Sequence, residues 1–274
     1  MQPRLLFRRA VPILAMLLAL PAWADSAYSD DVSDLWWTAN ESGWGLNLIQ
    51  QADLAFGTMF VYGPDGKPKW YVASNMQAVG LGSDGRSAHF VGALYETTGP
   101  VSPNAFDSSQ VTYRQVGTID FDQEGSISAF LQYTVDGVAV SKHVQRYTWK
   151  TNDISGLFNA SRVVLGFNCA PSAPVTDNLG PTTLSQSGST ISISTAGGTP
   201  STTCNYSGSY SQGGRMGVVE GAYSCNDGNS GTFRMEEVEA NPHGISAYYQ
   251  AIANGCQVRG HFGGARATVV PPPD

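Results

Sequence analysis

Eight aromatic side chains crowd into one short stretch, Trp36, Trp37, Trp44, Phe56, Phe60, Tyr62, Trp70 and Tyr71, with polar Asn40, Glu41 and Asn47 interleaved. Rings of this kind stack on the face of a sugar or of a flat apolar molecule, and neighbouring amides or carboxylates orient such a ligand by hydrogen bonds. The candidate ligand-binding set is Trp36, Trp37, Asn40, Glu41, Trp44, Asn47, Tyr62, Trp70 and Tyr71. The same rings also fit a plainer role as core and end plugs of a β-structure, because aromatics dominate such cores. Glu41-Ser42-Gly43 reads as a turn before Trp44, where the carboxylate serves either a ligand or the turn's own amides.

Catalytic chemistry finds little to stand on. Ser is abundant, yet no G-x-S-x-G elbow occurs, and no Gly-rich loop leads into a helix to cradle a phosphate. His89, His143, His243 and His261 lack the spacing of zinc ligands. Asp120-Phe121-Asp122-Gln123-Glu124-Gly125 imitates the opening of a calcium loop, but Leu131 stands where that loop needs its Glu, so a hairpin turn is expected and no metal or other cofactor. A glycosidase would need two carboxylates facing one cleft, and 22 acidic residues leave such a pair unlocated.

Cys169, Cys204, Cys225 and Cys256 are even in number and show no C-x-x-C spacing, which in an exported chain points to disulfides before metal. The segment from Cys204 to Cys225 is nearly palindromic about Gly214-Arg215. A two-residue turn there sets Gly208 opposite Gly221, Tyr206 opposite Tyr223 and Cys204 opposite Cys225. Cys169 is then left for Cys256. By loop length the two bridges are worth roughly 3 and 4.5 kcal/mol in the chain-entropy model. The rival scheme pairs Cys169 with Cys204 and Cys225 with Cys256, because a directly cross-strand disulfide is geometrically demanding.

The elements that must position these groups are strands. Helical periodicity is almost absent, and short alternating runs are broken by Gly, Pro, Asn or Asp. About eight such runs lie between Asp34 and Trp149, joined by turn chemistry at Pro64-Asp65-Gly66, Ser83-Asp84-Gly85, Gln123-Glu124-Gly125 and Asp136-Gly137. An all-β meander of this kind closes most simply into an eight-stranded up-and-down, calycin-like barrel, with an open sheet or sandwich as the alternatives. Consecutive Trp36 and Trp37 must then point to opposite faces.

The pattern relaxes at Lys150–Gly156, and beyond it the composition shifts to Ser, Thr, Gly and all the cysteines, marking a domain boundary. The expected division is residues 30–150 as the aromatic-rich barrel and 156–270 as a smaller, disulfide-stapled barrel or sandwich. Within the latter, Ala170 to Pro181 reads as a loop between the first two runs, and Pro271-Pro272-Pro273 as a frayed end.

Arg4, Arg8 and Arg9, the apolar run Ala10 to Leu20 and the small-x-small site Ala22-Trp23-Ala24 read as a signal peptide over residues 1–24. The apolar run falls short of a bilayer span, and Asp25 at the expected cleavage point argues against a lipid anchor. The Arg8-Arg9 pair leaves a twin-arginine signal as a rival to the general secretory one. Removal of residues 1–24 takes three of the 15 basic residues and none of the 22 acidic ones, leaving a net charge of −10. With no basic run, neither a nucleic acid nor insertion into a membrane is expected. The expected location is periplasmic or extracellular.

Residues 34 to 149 carry W-W-x-x-x-E-S-G-W-G, then Q-x-x-x-x-F, Y-x-x-x-G-K-P-x-W-Y, and V-G-T followed by Y-T-V-x-G-V. In these motifs the segment resembles a recurrent, uncharacterised module of exported bacterial proteins. The half after residue 155 resembles another uncharacterised β element, marked by C-x-Y-x-G and G-x-Y-x-C. The resemblance implies an exported β module and no activity. Three function classes remain: a binding module for a glycan or small apolar ligand, a structural or protein-interaction component of the cell envelope, and a hydrolase. An aromatic-lined cavity would mark the first, an exposed Trp patch on a filled barrel the second, and a carboxyl pair in a cleft the third.

Overall fold

The computed structural model describes residues 31–101, 103–167, 169–172, 174–197 and 201–267. The expected signal peptide and the Pro271–Pro273 tail lie outside them. The described chain is built of strands, with one 3-10 turn at Ser108–Gln110, and forms two closed antiparallel barrels in tandem. Among the described residues no helix is long and apolar enough to cross a membrane.

The first barrel contains β1 (Asp34–Trp37), β2 (Gly45–Gln51), β3 (Leu54–Tyr62), β4 (Pro68–Leu81), β5 (Ala88–Thr98), β6 (Thr112–Gly125), β7 (Ser128–Val135) and β8 (Val138–Arg146). Each strand pairs with the next, and β1 closes on β8 at Trp36–Arg146 and Trp37–Gln145. Alternation sends one face of each strand inward, and Trp36, Leu46, Leu48, Met59, Met76, Phe90, Ile119, Phe121 and Leu131 fill the interior. The tight links need left-handed backbone: Asp136 and Gly137 have φ of 47° and 82° at the β7–β8 turn. The imitation calcium loop lies along β6 and its turn, where Asp120 pairs with His89 and Glu124 with His143.

The second barrel contains β9 (Gly156–Phe167), β10 (Val175–Ser187), β11 (Thr190–Gly197), β12 (Thr202–Gly213), β13 (Met216–Cys225), β14 (Ser230–Ala240), β15 (Gly244–Ala253) and β16 (Cys256–Arg266), closed by pairing of β16 with β9. Of the expected barrel or sandwich it is the barrel, with the same strand number as the first. The expected loop from Ala170 to Pro181 is also corrected, because β10 begins at Val175 and carries Pro181 within it. A bulge between Asn178 and Gly180, with Gly180 at a φ of 61°, interrupts the ladder there and makes room for a residue without an N–H.

The β12–β13 hairpin turns at Gly214-Arg215 with Cys204 opposite Cys225, Tyr206 opposite Tyr223 and Gly208 opposite Gly221, as its near-palindrome requires. Cys204–Cys225 and Cys169–Cys256 are the two disulfides. The second joins the chain just after β9 to the start of β16 and so ties the closing seam.

The tip of this hairpin is also where the barrels meet. Arg215 Nη2 donates to Asp31 (2.6 Å), its Nε donates to the Ser33 carbonyl (3.2 Å), its backbone N–H donates to Asp34 (3.2 Å), and Nη1 pairs with Glu239. Asp34 in turn receives Nη1 of Arg146, whose guanidinium is buried against the Trp36 ring, 4.6 Å from its centroid. On another side of the joint Arg86 lies 4.2 Å over Tyr248 and pairs with both Glu236 and Glu237. Successive strand residues normally face opposite ways. A bulge in β14, with Glu237 at a φ of 56°, lets both carboxylates reach one guanidinium.

Candidate functional site

The structure disperses the expected ligand set into four environments. Trp36 is fully buried and its Nε1–H donates to the Val32 carbonyl (2.9 Å), while Tyr71 lies in the same core. Both are corrected from ligand contacts to packing residues, because the inward phase of β1 and β4 turns their rings into the core. Trp37 takes the opposite face and packs edge-on against Tyr147, which in turn meets Trp149.

Trp44 and Glu41 sit at the end of the first barrel away from the second. Trp44 Nε1 donates to Glu41 Oε2 (2.9 Å), Lys142 pairs with the same carboxylate, and the ammonium lies 5.0 Å from the Trp44 ring centroid. Hydrogen bonding from Lys142 holds the Glu41 carboxyl below its ordinary value. Across the same end Lys69 pairs with Glu96 (2.6 Å), Glu96 with Arg114 (2.8 Å), and Arg114 with Asp136. Beneath these pairs Trp44, Val61, Tyr133 and Val135 pack onto the core. The mouth where a calycin-like barrel would admit a ligand is thus plugged by rings and covered by matched charges. Asn40 is exposed in the adjoining turn.

The remaining members, Asn47, Tyr62 and Trp70, lie together on the outside of the barrel. Cross-strand register places Gly45 opposite Phe60 and Phe60 opposite Trp70, and Trp70 Nε1 donates to Thr97 Oγ1 (3.3 Å). Thr97 is opposite Tyr113, which meets Tyr95 edge-on at 6.0 Å. A row of rings therefore crosses β3, β4 and β6, with Tyr62 two residues further along β3. At a strand spacing of about 4.8 Å, the row from Phe60 to Tyr113 spans roughly 14 Å. Phe60, Tyr62, Trp70 and Tyr113 are 41%, 60%, 54% and 77% exposed.

Glycines on β2 and in the turn before it fix how two of these rings lie. A Cβ at Gly45 would stand 2.8 Å from a Phe60 ring carbon, and one at Gly43 would stand 3.3 Å from the Tyr62 ring. The rings occupy the space that side chains at 43 and 45 would take, and the E-S-G-W-G motif is thereby explained on its outer side. Beside them the outward residues are Asn47, Ile49, Leu54, Phe56, Thr58, Val72 and Ser74, and none of the outward positions of β2, β3 or β4 as far as Ser74 is charged.

Sequence reasoning found Asn47, Tyr62 and Trp70 but grouped them with core residues, and it missed Thr97, Tyr95 and Tyr113. The phase of the alternation separates Trp70 from Tyr71. The link to β5 and β6 is set by register across the sheet, which carries no local signal.

No family model matches the chain, and no curated protein matches it significantly. The functional reading therefore rests on the geometry.

Proposed function

We propose that the protein is an exported, non-catalytic binding module that takes a neutral glycan chain across the outer face of its first barrel. The observation that carries this reading is the exposed row Tyr62, Phe60, Trp70 and Tyr113, which continues the uncharged outward face of β2, β3 and β4 and is interleaved with the uncharged hydrogen-bonding groups of Asn47, Thr58 and Thr97. Aromatic faces cover the C–H surfaces of sugar rings, amides and hydroxyls meet their hydroxyls, and a closed barrel presents both without an ordering cost. A polymer suits an open row better than a closed pocket does. The expected signal peptide and the two disulfides support an oxidising compartment outside the cytoplasm.

A second reading, a surface for a protein partner of the cell envelope, is favoured by the solvent exposure of Trp70 on a barrel whose interior is filled. The test is a tryptophan-fluorescence titration of the oxidised chain from Asp25 with uncharged oligosaccharides of several backbones, repeated on Trp70→Ala and Phe60→Ala. A saturable change with one backbone, lost in both variants while their thermal unfolding stays near that of the parent, is the expected result. A flat response across all backbones overturns the glycan reading and leaves the protein partner.

A further inference from the structure

The second barrel holds a site of different chemistry at its end remote from the first. Cavities of about 410 and 630 Å³ meet there, and Arg162, Asp177, Tyr223 and Asn229 line both. Volumes of this order accept a small molecule. Each disulfide borders one lobe, Cys204–Cys225 the smaller and Cys256 of the other bridge the larger. The floor is set by the sequence Phe158-x-Ala160-x-Arg162-x-Val164, in which alternation turns an arginine inward among core residues.

Arg162 is held from two sides. Its Nε donates to Asp177 (3.0 Å) and its Nη1 donates to the Tyr249 hydroxyl oxygen (2.9 Å), with the guanidinium 5.1 Å over the Tyr249 ring. Burial pushes the Tyr249 phenol far above its ordinary range, so it meets Arg162 as a neutral acceptor. Tyr206 stacks on Tyr223 with ring centroids 5.3 Å apart, making an aromatic wall. Among the described residues nothing accepts from Arg162 Nη2. The Arg162 side chain keeps 22% of its surface open to the cavity, so Nη2 is free to meet an acceptor that enters there.

We infer that this cavity is a binding site for a small organic carboxylate, whose oxygens meet Arg162 Nη2 and whose ring or hydroxylated body lies against Tyr223 between Asn229 and Asn178. The charges select the class. A cation would meet the arginine at the floor, and a phosphate dianion would meet one guanidinium already shared with Asp177 as well as the carboxylate of Asp227 at the rim. A single carboxylate matches the one nitrogen left, Nη2, and makes a charge-assisted hydrogen bond there. This inference is independent of the glycan face on the first barrel.

The test uses probe pairs that differ in the acid group, glucuronate against glucose and benzoate against benzyl alcohol, titrated into the oxidised chain from Asp25 and followed by calorimetry and amide NMR. Both acids are expected to bind on the order of tenfold more tightly than their neutral partners, with shifts confined to the second barrel. Arg162→Gln should abolish the difference, and Asp177→Asn, which removes the competing carboxylate, should increase it. Trp70→Ala should leave it unchanged. Equal binding of acid and neutral partner overturns the inference, as does the absence of binding by either acid up to about 10 mM. If Arg162→Gln fails to fold, the direction of the Asp177→Asn effect decides.

Discussion

Phe60 rests across Gly45, its cross-strand partner, in the space a side chain at that position would occupy. The glycine is therefore required by a neighbour's ring and not by a turn. Gly45→Ala should lift Phe60 off the sheet, and because that ring is 41% exposed and free to swing aside the cost should be about 1 kcal/mol or less, at the low end of overpacking. Thermal unfolding measures that cost. In the same variant glycan affinity should fall although every ring of the row is still present, whereas Gly188→Ala, in the β10–β11 turn of the second barrel, should leave affinity unchanged.

The joint between the barrels hangs on Arg215, which gathers Asp31, Ser33, Asp34 and Glu239 around one hairpin tip. Arg215→Ala removes the side-chain bonds to Asp31, Ser33 and Glu239, keeps the backbone N–H bond to Asp34, and leaves each barrel's own core intact. The expected outcome in calorimetry is that the unfolding of the two barrels separates, the second barrel keeping its midpoint. Small-angle scattering should show a larger radius of gyration. A single unchanged transition would argue that the remaining contacts, among them those of Arg86 with Tyr248, Glu236 and Glu237, hold the barrels together.

Acid should loosen the plugged end of the first barrel. Lys142 lowers the Glu41 carboxyl and Lys69, followed by Arg114, lowers that of Glu96, both from an ordinary value of 4.5. A carboxylate whose folded-state pKa lies below its unfolded value contributes stability above the unfolded value and loses it as pH falls through the folded one. The midpoint of the first barrel should therefore drop as pH is taken below about 4.5. These groups are open to solvent, so the effect should be small and should shrink further in about 1 M salt.

Loop length ranks the two bridges. Cys169–Cys256 closes a separation of 87 residues and Cys204–Cys225 one of 21. Replacing the first pair by serine should cost about 4.5 kcal/mol and the second about 3 in the chain-entropy model. Denaturant unfolding of each variant checks the order. In an Arg215→Ala background, where the barrels are expected to unfold separately, the first barrel, which holds no cysteine, should keep its midpoint in both.

What could be read from the chain was whatever is local. The alternation that buries Leu46 and Leu48 and exposes Asn47, the opposite faces of Trp36 and Trp37, and the palindrome that pairs Cys204 with Cys225 all lie within single strands or one hairpin. Pro181 misled because a bulge at Asn178–Gly180, which no residue type announces by itself, makes a proline tolerable inside β10. Trp36 and Tyr71 looked like ligand contacts because aromatic composition does not distinguish a filled barrel from a hollow one. Arg162 was legible in principle, as a charged residue in the inward phase of Phe158, Ala160 and Val164. Its partners Asp177 and Tyr249 come from other strands, and only barrel closure brings them to it.

The two disulfides also divide folding in time. Cys204 and Cys225 need only their own hairpin, and hairpins form in about 1–10 μs. Cys169 and Cys256 come together only when the first and last strands of the second barrel have found each other, the most distant pairing in that domain and the slowest class of contact to form. The hairpin bridge can therefore be made in a chain that is still an open meander, whereas the seam bridge requires a closed one. Intermediates trapped during oxidative refolding can be sorted by which bridge they contain, and the arrival of the second marks the moment when the cavity around Arg162 first has walls.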